Sequence, residues 1–132
     1  MPHARLDAFG VIVADMAKTI AFYETLGLTF PDDAAEQGHV EVVLAGGLRL
    51  MFDTVGVIKR FAPDWEPPTG GHRMNLAFVC DSPAEVDAAY AALVEAGHRG
   101  LKEPWDAFWG QRYAQVLDPD DNPVDLFAAS ET

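Results

Sequence analysis

The first part of the chain combines an apolar, β-branched segment with a segment in which apolar residues recur at helical spacing. Residues 6–13 are apolar on both faces and end at an Ala-Asp pair, which predicts a buried strand. Asp15 can cap the helix that follows, which is predicted over about residues 15–26. Gly27 then suits the left-handed conformation that ends many helices.

Segments with strand character follow after a polar loop. Residues 39–44 and 48–53 predict two strands, joined by an Ala-Gly-Gly turn in which glycine permits positive φ. A short extra strand is also expected near Thr29. The first half of the chain is therefore predicted as β-α-β-β.

The second half of the chain repeats this order. Residues 72–80 are strand-like, and Ser82-Pro83-Ala84-Glu85 has the cap, proline and glutamate of a helix start. That helix is predicted to end at Gly97. Two strands, 111–117 and 123–127, are then expected on either side of an Asp-Pro-Asp-Asp-Asn turn.

The repeat divides a single domain into two modules. Module 1 covers about residues 4–54, and module 2 covers about residues 72–128. The segment between them, about residues 55–71, holds three prolines and is predicted as an irregular linker. Two copies are too few for a solenoid, so the modules are expected to belong to one domain.

Composition and charge limit the classes of partner. The chain has 132 residues, of which 49% are hydrophobic and 23% are charged, as in an ordinary globular domain. Its formal net charge of −12 repels phosphate backbones and anionic lipid, so no nucleic-acid or membrane partner is expected. The first residues lack a signal-peptide pattern and Cys80 is the only cysteine, so we expect a cytoplasmic protein.

Two segments resemble the vicinal oxygen chelate superfamily, which includes glyoxalases, bleomycin resistance proteins and extradiol dioxygenases. They are the helix signature Asp15–Gly27 and the C-terminal hairpin Asp118–Phe127, which has Asp121 where the superfamily usually has glycine. The resemblance implies an α+β fold of two tandem βαβββ modules. It further implies that the curved mixed sheets form a half-open barrel with a cleft, that the helices lie outside, and that the protein is a homodimer.

Four other segments are similar to antibiotic-binding resistance proteins of this superfamily, of the mitomycin-binding type: Pro67–Arg73, Trp109–Ala114, Gly46–Leu50 and Phe52–Val55. This similarity implies that the protein binds a planar aromatic antibiotic of the mitomycin, bleomycin or quinoxaline type. It also implies that the antibiotic is sequestered without chemistry. The expected role is therefore self-resistance, and the protein is not expected to be an enzyme.

Enzymes of the superfamily hold a divalent ion with side chains from four strands. The resemblance carries these positions over to Ala8, Arg49, Asn75 and Asp125, of which only Asp125 is an anionic oxygen ligand. Alanine has no donor atom, and arginine is a permanent cation. We therefore expect no catalytic metal and no cofactor.

The remaining reactive side chains form no catalytic pattern. The four histidines lack a short metal-binding spacing, although Glu41 shares a strand face with His39 and can hold it protonated. His39 and His72 are both expected to begin strands. Cys80 is expected to be a small buried residue at a strand end, and Ser82 is used as a helix cap. No catalytic residue is assigned.

Aromatic and polar residues supply a candidate ligand-binding surface instead. Residues 105–109 are dense in large rings and are predicted to form a loop before a strand, where exposed rings often mark a binding edge. Strand alternation places Arg49, Met51 and Asp53 on one face. The candidate ligand-binding residues are Trp109, Tyr113, Phe108, Trp65, Asp53, Arg49, Met51, His39, Asp125 and Asn75.

The acidic residues among them favour a cationic or amine-bearing aromatic ligand. Glu41, Asp53 and Asp125 would attract such a ligand, whereas Arg49 and Arg112 could neutralise part of their charge. An internal pair of Arg49 with Asp125 is an equally good use of those two residues.

Two further functions stay open from the sequence. One is a metal-dependent lyase, dioxygenase or drug-modifying transferase with a displaced ligand set such as His39, Glu41 and Asp125. The other is a metal-free isomerase in which Asp53 or Asp125 acts as a general base. Tight binding of a drug by the metal-stripped protein, with the drug recovered unchanged, would favour sequestration over both.

Overall fold

The computed structural model describes residues 4–131, and this part of the chain contains seven strands and three α-helices. In chain order they are β1 (Ala8–Val13), α1 (Met16–Thr25), β2 (His39–Val43), β3 (Arg49–Thr54), α2 (Val55–Lys59), β4 (Leu76–Val79), α3 (Pro83–Glu95), β5 (Gly100–Ala107), β6 (Gln111–Leu117) and β7 (Pro123–Ala129). A single turn of 3-10 helix, Ala34–Glu36, precedes β2.

The structure divides into two units, which correspond closely to the two halves of the sequence repeat. Unit 1 contains the chain up to Glu24 and Leu28–Pro68, and unit 2 contains Thr25–Gly27 and the chain from Thr69 onward. Each unit has its own mixed sheet, with three strands in unit 1 and four in unit 2. The α+β class expected from the sequence is therefore confirmed.

The sheet of unit 1 has the strand order β1-β3-β2, with β1 parallel to β3 and β2 antiparallel to it. Side chains alternate between the two faces of β3, so that Leu50 and Phe52 are buried while their neighbours are half-buried. The ring of Tyr23 in α1 lies 5.4 Å from that of Phe52. This contact anchors the helix to one face of the sheet and leaves the other face to carry polar side chains.

Local capping explains where α1 begins and ends. A carboxylate oxygen of Asp15 accepts a hydrogen bond from the backbone N–H of Lys18 at 3.1 Å, as an N-cap residue does. Gly27 follows the last turn with a φ of 96°, which residues with a side chain rarely adopt. Both features agree with the helix predicted from the sequence.

The sheet of unit 2 has the order β4-β7-β6-β5, in which β4 is parallel to β7 and the other pairs are antiparallel. The first strand of the unit thus pairs in parallel with the last strand, as β1 pairs with β3 in unit 1. Ser82 caps α3 by accepting a hydrogen bond from the N–H of Glu85 at 3.3 Å. Val86 and Leu93 of that helix are fully buried, as is Leu126 of β7.

A network around Asp118 builds the turn between β6 and β7. Its carboxylate is almost fully buried and accepts hydrogen bonds from the backbone N–H groups of Asp120 and Asn122 at 2.9 and 2.8 Å. It also accepts a bond from the side-chain amide of Asn122 at 2.9 Å. Asp121 has a φ of 64°, so aspartate does occupy the left-handed position for which glycine is usual.

Four expectations from the sequence need correction. Residues 28–33, all of them described, form no strand near Thr29, so unit 1 has one strand fewer than unit 2. The predicted linker begins with α2, which Thr54 caps by accepting from the N–H of Val57 at 3.3 Å. His72 lies ahead of β4 and does not begin it. Much of the segment predicted as a loop before β6 is the strand β5.

The reason is similar in each case. Short or edge elements depend on contacts with distant strands more than on their own residue pattern, and β5 contains a proline and two register irregularities.

In the described part of the chain, no helix is both long enough and apolar enough to cross a membrane.

Candidate functional site

A row of five charged side chains crosses the sheet face of unit 1 that is opposite α1. Antiparallel pairing sets His39 of β2 opposite Asp53 of β3, and alternation brings Glu41 to the same face as His39. Arg49 begins β3 on this face. Asp7, which precedes β1, completes the row.

Hydrogen bonds and ion pairs connect these five side chains in sequence. Arg49 donates to Asp7 at 2.5 Å and to Glu41 at 2.7 Å. The Nε2 atom of His39 lies 2.7 Å from Glu41, and its Nδ1 atom lies 2.6 Å from Asp53. Three carboxylates and two cationic side chains therefore form one continuous row, which we call the charged row. Glu41 is bonded to both cations.

The geometry sets the protonation state of His39. A carboxylate only accepts hydrogen bonds, so two carboxylates on the two ring nitrogens require an N–H at each nitrogen, which is the imidazolium form. The hydrogen bond that His39 donates to Glu41, followed by the one that it donates to Asp53, raises the pKa of His39. His39, together with Arg49, in turn lowers the pKa of Glu41. The sequence expectation that Glu41 holds His39 protonated agrees with this arrangement.

A cluster of aromatic rings covers part of the sheet of unit 2. Trp109 is at its centre, with ring centroids 5.9 Å from Trp105, 5.1 Å from Phe108 and 5.4 Å from Tyr113. These three pairs are edge-to-face, and Tyr113 is stacked on Phe127 at 6.1 Å. We call these five residues the ring cluster.

The ring cluster is only partly covered. Trp109 is 48% exposed and Phe108, at the turn between β5 and β6, is 97% exposed. The indole N–H of Trp109 donates to the side-chain oxygen of Gln111 at 2.7 Å, which holds this ring in place. An edge-to-face pair leaves ring surface free, so the cluster offers an oriented apolar surface to solvent.

A buried carboxylate lies beside the ring cluster. Asp125 of β7 is 5% exposed and accepts hydrogen bonds from the hydroxyl of Tyr113 and from the side-chain amide of Gln115, the latter at 2.9 Å. Burial and the bond to Asp125 raise the pKa of Tyr113 to about 12, so its hydroxyl is a hydrogen-bond donor at neutral pH. Both donors that hold Asp125 are uncharged.

Two exposed residues of β4 lie beside Asp125. The parallel register of β4 and β7 pairs Ala77 with Asp125, and Ala77 is exposed. Val79, two residues further along β4 and on the same face, is 71% exposed. A small residue and an exposed apolar residue therefore border the carboxylate on the β4 side, whereas the rings border it on the β6 side.

The metal positions of the superfamily can now be tested against the side chains present. In unit 1 the register pairs Ala8 with Arg49, and in unit 2 the equivalent register pairs Ala77 with Asp125. Asn75, the fourth position carried over from the sequence, precedes β4 and is exposed.

These four positions do not fit a divalent ion. Ala8 has no donor atom, Asn75 offers a neutral amide oxygen, and Arg49 is a cation already bonded to two carboxylates. Within residues 4–131, no group of three or more His, Cys, Asp or Glu side chains is placed to hold a metal ion. We therefore derive no step that runs through a metal.

The residues predicted as ligand contacts fall mainly into two groups, one in each unit. His39, Arg49, Met51 and Asp53 lie on the sheet of unit 1, and the group of unit 2 consists of Phe108, Trp109, Tyr113 and Asp125. Trp65 follows α2 in unit 1, and Asn75 precedes β4, so neither belongs to the charged row or to the ring cluster.

Both arginines have partners other than those the sequence suggested. Arg49 is held by Asp7 and Glu41 inside unit 1, and Asp125 is held by uncharged donors inside unit 2. Arg112 lies on the helix side of its sheet, where it pairs with Asp87 of α3 at 2.9 Å and with Asp106 at 3.3 Å. It does not neutralise the carboxylates of the candidate site.

Sequence reasoning missed several members of both groups. Asp7, Ala77, Gln115 and Phe127 have no distinctive motif, and Trp105 was noted only as part of a ring-rich loop. Counting two residues forward from Tyr113 along β6 and from Asp125 along β7 would have found Gln115 and Phe127. The pairing of β4 with β7, which places Ala77, has no local signal.

Comparison with known proteins agrees with the fold and with the sequence segments described above. The sequence profile of the Glyoxalase/Bleomycin resistance protein/Dioxygenase superfamily matches residues 5–126. The chain belongs to this superfamily, which is the vicinal oxygen chelate superfamily that the sequence resembles. No curated protein is significantly similar to the chain in sequence.

Solved structures with the same fold include three of similar size. A glyoxalase/bleomycin resistance protein/dioxygenase family enzyme from Burkholderia phytofirmans has a TM-score of 0.77 and 21% identity, with 96% of this chain and 99% of that chain covered. A hypothetical protein from S. aureus has a TM-score of 0.77 and 19% identity, with 98% and 95% covered. A glyoxalase-related enzyme from Fulvimarina pelagi has a TM-score of 0.77 and 18% identity, with 94% and 87% covered. These similarities show the fold.

Proposed function

We propose that this protein binds a planar aromatic compound on the sheet face of unit 2 that carries the ring cluster, and that it releases the compound unchanged. The observation that carries the proposal is the ring cluster itself, whose central indole is half-exposed and held by Gln111. Exposed rings with fixed orientation cost little entropy when they bind, and each stacking contact contributes about 0.5–1.5 kcal/mol beyond the buried area.

The metal positions support a binding role over metal-dependent chemistry. Enzymes of the superfamily use side-chain donors at four positions, of which this chain keeps a single carboxylate, that of Asp125. That carboxylate is already hydrogen-bonded to Tyr113 and Gln115. A planar antibiotic of the mitomycin, bleomycin or quinoxaline type is the ligand we propose, and self-resistance by sequestration in the cytoplasm is the role.

The central experiment is a calorimetric titration of the metal-stripped protein with a panel of planar antibiotics of these three types. We expect at least one to bind with micromolar affinity or better and to be recovered unchanged, as chromatography of the mixture would show. Conversion of the compound in the presence of added Mn²⁺, Fe²⁺ or Zn²⁺, abolished by a chelator, would instead favour a metal-dependent enzyme. Conversion without any metal would favour the isomerase alternative.

Two variants test whether the ring cluster is the binding surface. We expect Trp109→Ala to lower the affinity tenfold or more, because it removes the central ring, while the free energy of unfolding falls by no more than about 2 kcal/mol. Phe61→Ala is the matched control, since Phe61 is a 74% exposed ring that lies in unit 1. Equal affinity in the Trp109→Ala variant would contradict the proposal.

The same titration can test the other predicted ligand contacts by substitution; they are Trp65, Asn75, His39, Arg49, Met51 and Asp53. The proposal also includes a homodimer, which sedimentation velocity can test at micromolar protein concentration.

A further inference from the structure

We infer that the compound bound at the ring cluster carries a protonated nitrogen that contacts Asp125. This inference rests on the proposed function and names the chemical class of its ligand. It depends on three features of unit 2: the hydrogen bonds that hold Asp125, the exposed residue beside it on β4, and the contact between a ring of the cluster and a cation.

The first feature is a buried carboxylate that has no cationic partner among residues 4–131. Asp125 is 5% exposed, and its contacts are hydrogen bonds from the uncharged donors of Tyr113 and Gln115. A carboxylate has about four acceptor positions, so two donors leave capacity for at least one more. Burial of a carboxylate is costly unless it is paired with a cation as well as hydrogen-bonded. A ligand cation would supply that charge.

The second feature is the side from which a ligand can approach. Ala77 is the register partner of Asp125 on β4, and it is exposed. Its methyl group is small, and it carries no charge or hydrogen-bonding group that would compete with a ligand for the carboxylate. A nitrogen placed over Ala77 would lie beside Asp125, while the flat part of the same molecule extends toward the rings on β6.

The third feature is a cation already associated with the ring cluster. The ammonium group of Lys102 lies 4.8 Å from the ring centroid of Trp105. Such contacts arise because the face of an indole carries negative electrostatic potential. With a net charge of −12, the chain as a whole also attracts cations and repels anions. Ring surface, carboxylate and overall charge thus favour the same ligand class.

The test compares two dyes that share the same three-ring skeleton and differ in charge. Proflavine is a cation at neutral pH, and acridine is its uncharged three-ring parent. We expect calorimetric titration of the full chain at neutral pH to show proflavine binding at least tenfold more tightly than acridine, because the cation gains a charge-assisted hydrogen bond.

Three variants locate the source of this preference. In Asp125→Asn the ratio of the two affinities should fall to within about threefold of unity, since the carboxylate charge is removed. Ala77→Lys keeps the carboxylate but places a cation next to it, and should also abolish the preference. Ala77→Met is the matched control of similar length without charge, and should keep a preference of about tenfold even if both dyes bind more weakly. Because Ala77 is exposed, its variants test the inference even if Asp125→Asn fails to fold.

The outcomes separate the inference from the proposed function. Equal affinities of the two dyes for the wild-type protein, or a preference that survives Ala77→Lys, would overturn the inference and leave ring binding intact. Failure of both dyes to bind would overturn the inference and the proposed function together.

Discussion

The hydroxyl of Tyr113 donates a hydrogen bond to the carboxylate of Asp125, so a ring of the cluster and the buried charge are parts of one arrangement. The backbone partner of Tyr113 is Phe127, which makes the bond to Asp125 a diagonal contact between β6 and β7. This bond fixes the ring of Tyr113 on the sheet, and Tyr113 in turn contacts Trp109 and Phe127. The hydrogen bond between Tyr113 and Asp125 therefore helps to orient the ring cluster.

Removal of the Tyr113 hydroxyl, although it is a single polar group, should lower the stability of the folded protein. We expect Tyr113→Phe to lower the free energy of unfolding by about 1–3 kcal/mol, because it leaves the buried carboxylate of Asp125 with one donor fewer. Urea denaturation at neutral pH measures the effect. A double-mutant cycle with Asp125→Asn provides the control, because the two changes should couple if the bond is responsible. Strictly additive effects would contradict this explanation.

The charged row of unit 1 should make stability depend on pH. The pKa of His39 is raised above its ordinary value of 6.5 in the folded protein by Glu41 and then Asp53, with Arg49 and Asp7 as the other charged members of the row. A raised folded-state pKa means that the stabilisation is fully present below the unfolded pKa and is lost as the pH rises through the folded pKa.

We therefore expect His39→Gln to lower the unfolding temperature most in mildly acidic solution, where Glu41 is still ionised because its pKa is lowered. The difference from wild type should shrink as the pH becomes alkaline. Thermal unfolding of both proteins across this range measures it, and the imidazole signals of His39 should titrate above their usual pH. A difference that grows with pH would show that the row is not arranged as described.

Divalent cations should not stabilise the protein through the superfamily's metal positions. An ion that binds only the folded state at a hundred times its dissociation constant would contribute about 2.7 kcal/mol. Since Ala8 has no donor, Asn75 is uncharged and Arg49 is a cation already paired with two carboxylates, we expect Zn²⁺, Mn²⁺ and Fe²⁺ to leave the unfolding temperature unchanged. Differential scanning fluorimetry with and without chelator checks this. A rise of several degrees that the chelator reverses would contradict the assignment.

Replacing one residue of the turn between β6 and β7 by glycine should stabilise the folded protein. Asp121 has a φ of 64° and its side chain makes only an exposed ion pair with Arg99 at 3.3 Å, which contributes little. We expect Asp121→Gly to raise the free energy of unfolding by up to about 1 kcal/mol, since glycine adopts this conformation without steric cost. Asp121→Ala is the control and should be destabilising. Chemical denaturation of the three proteins would refute the idea if glycine proved no better than alanine.

Elements with local signals were predicted well from the sequence. The start of α1 at Asp15, the start of α3 at Ser82 and the Asp118 turn all depend on side chains bonding to backbone groups a few residues away. Such bonds can be inferred from residue spacing alone. The same holds for the alternation that buries Leu50 and Phe52 and turns Arg49, Met51 and Asp53 to the other face.

The candidate site was only partly predictable. Trp109, Tyr113 and Asp125 were identified in the sequence as ligand contacts, and the structure brings them together in unit 2. Trp105 lies in β5, whose irregular pairing with β6 hides its strand character. In unit 1, His39, Arg49 and Asp53 belong to the charged row, and the sequence did not reveal the pairing of Arg49 with Asp7 and Glu41 or that of His39 with Asp53.

The amino-acid sequence by itself determined the repeat, the helix boundaries, the acidic charge and the loss of metal donors at Ala8 and Arg49, because each depends on residue identity or on near neighbours. Only the tertiary structure decided which side chains face Asp125 and how His39 and Arg49 are paired. Those relations follow from strand order and register between segments far apart in the chain, and a shift of one residue in a strand would turn every side chain to the other face.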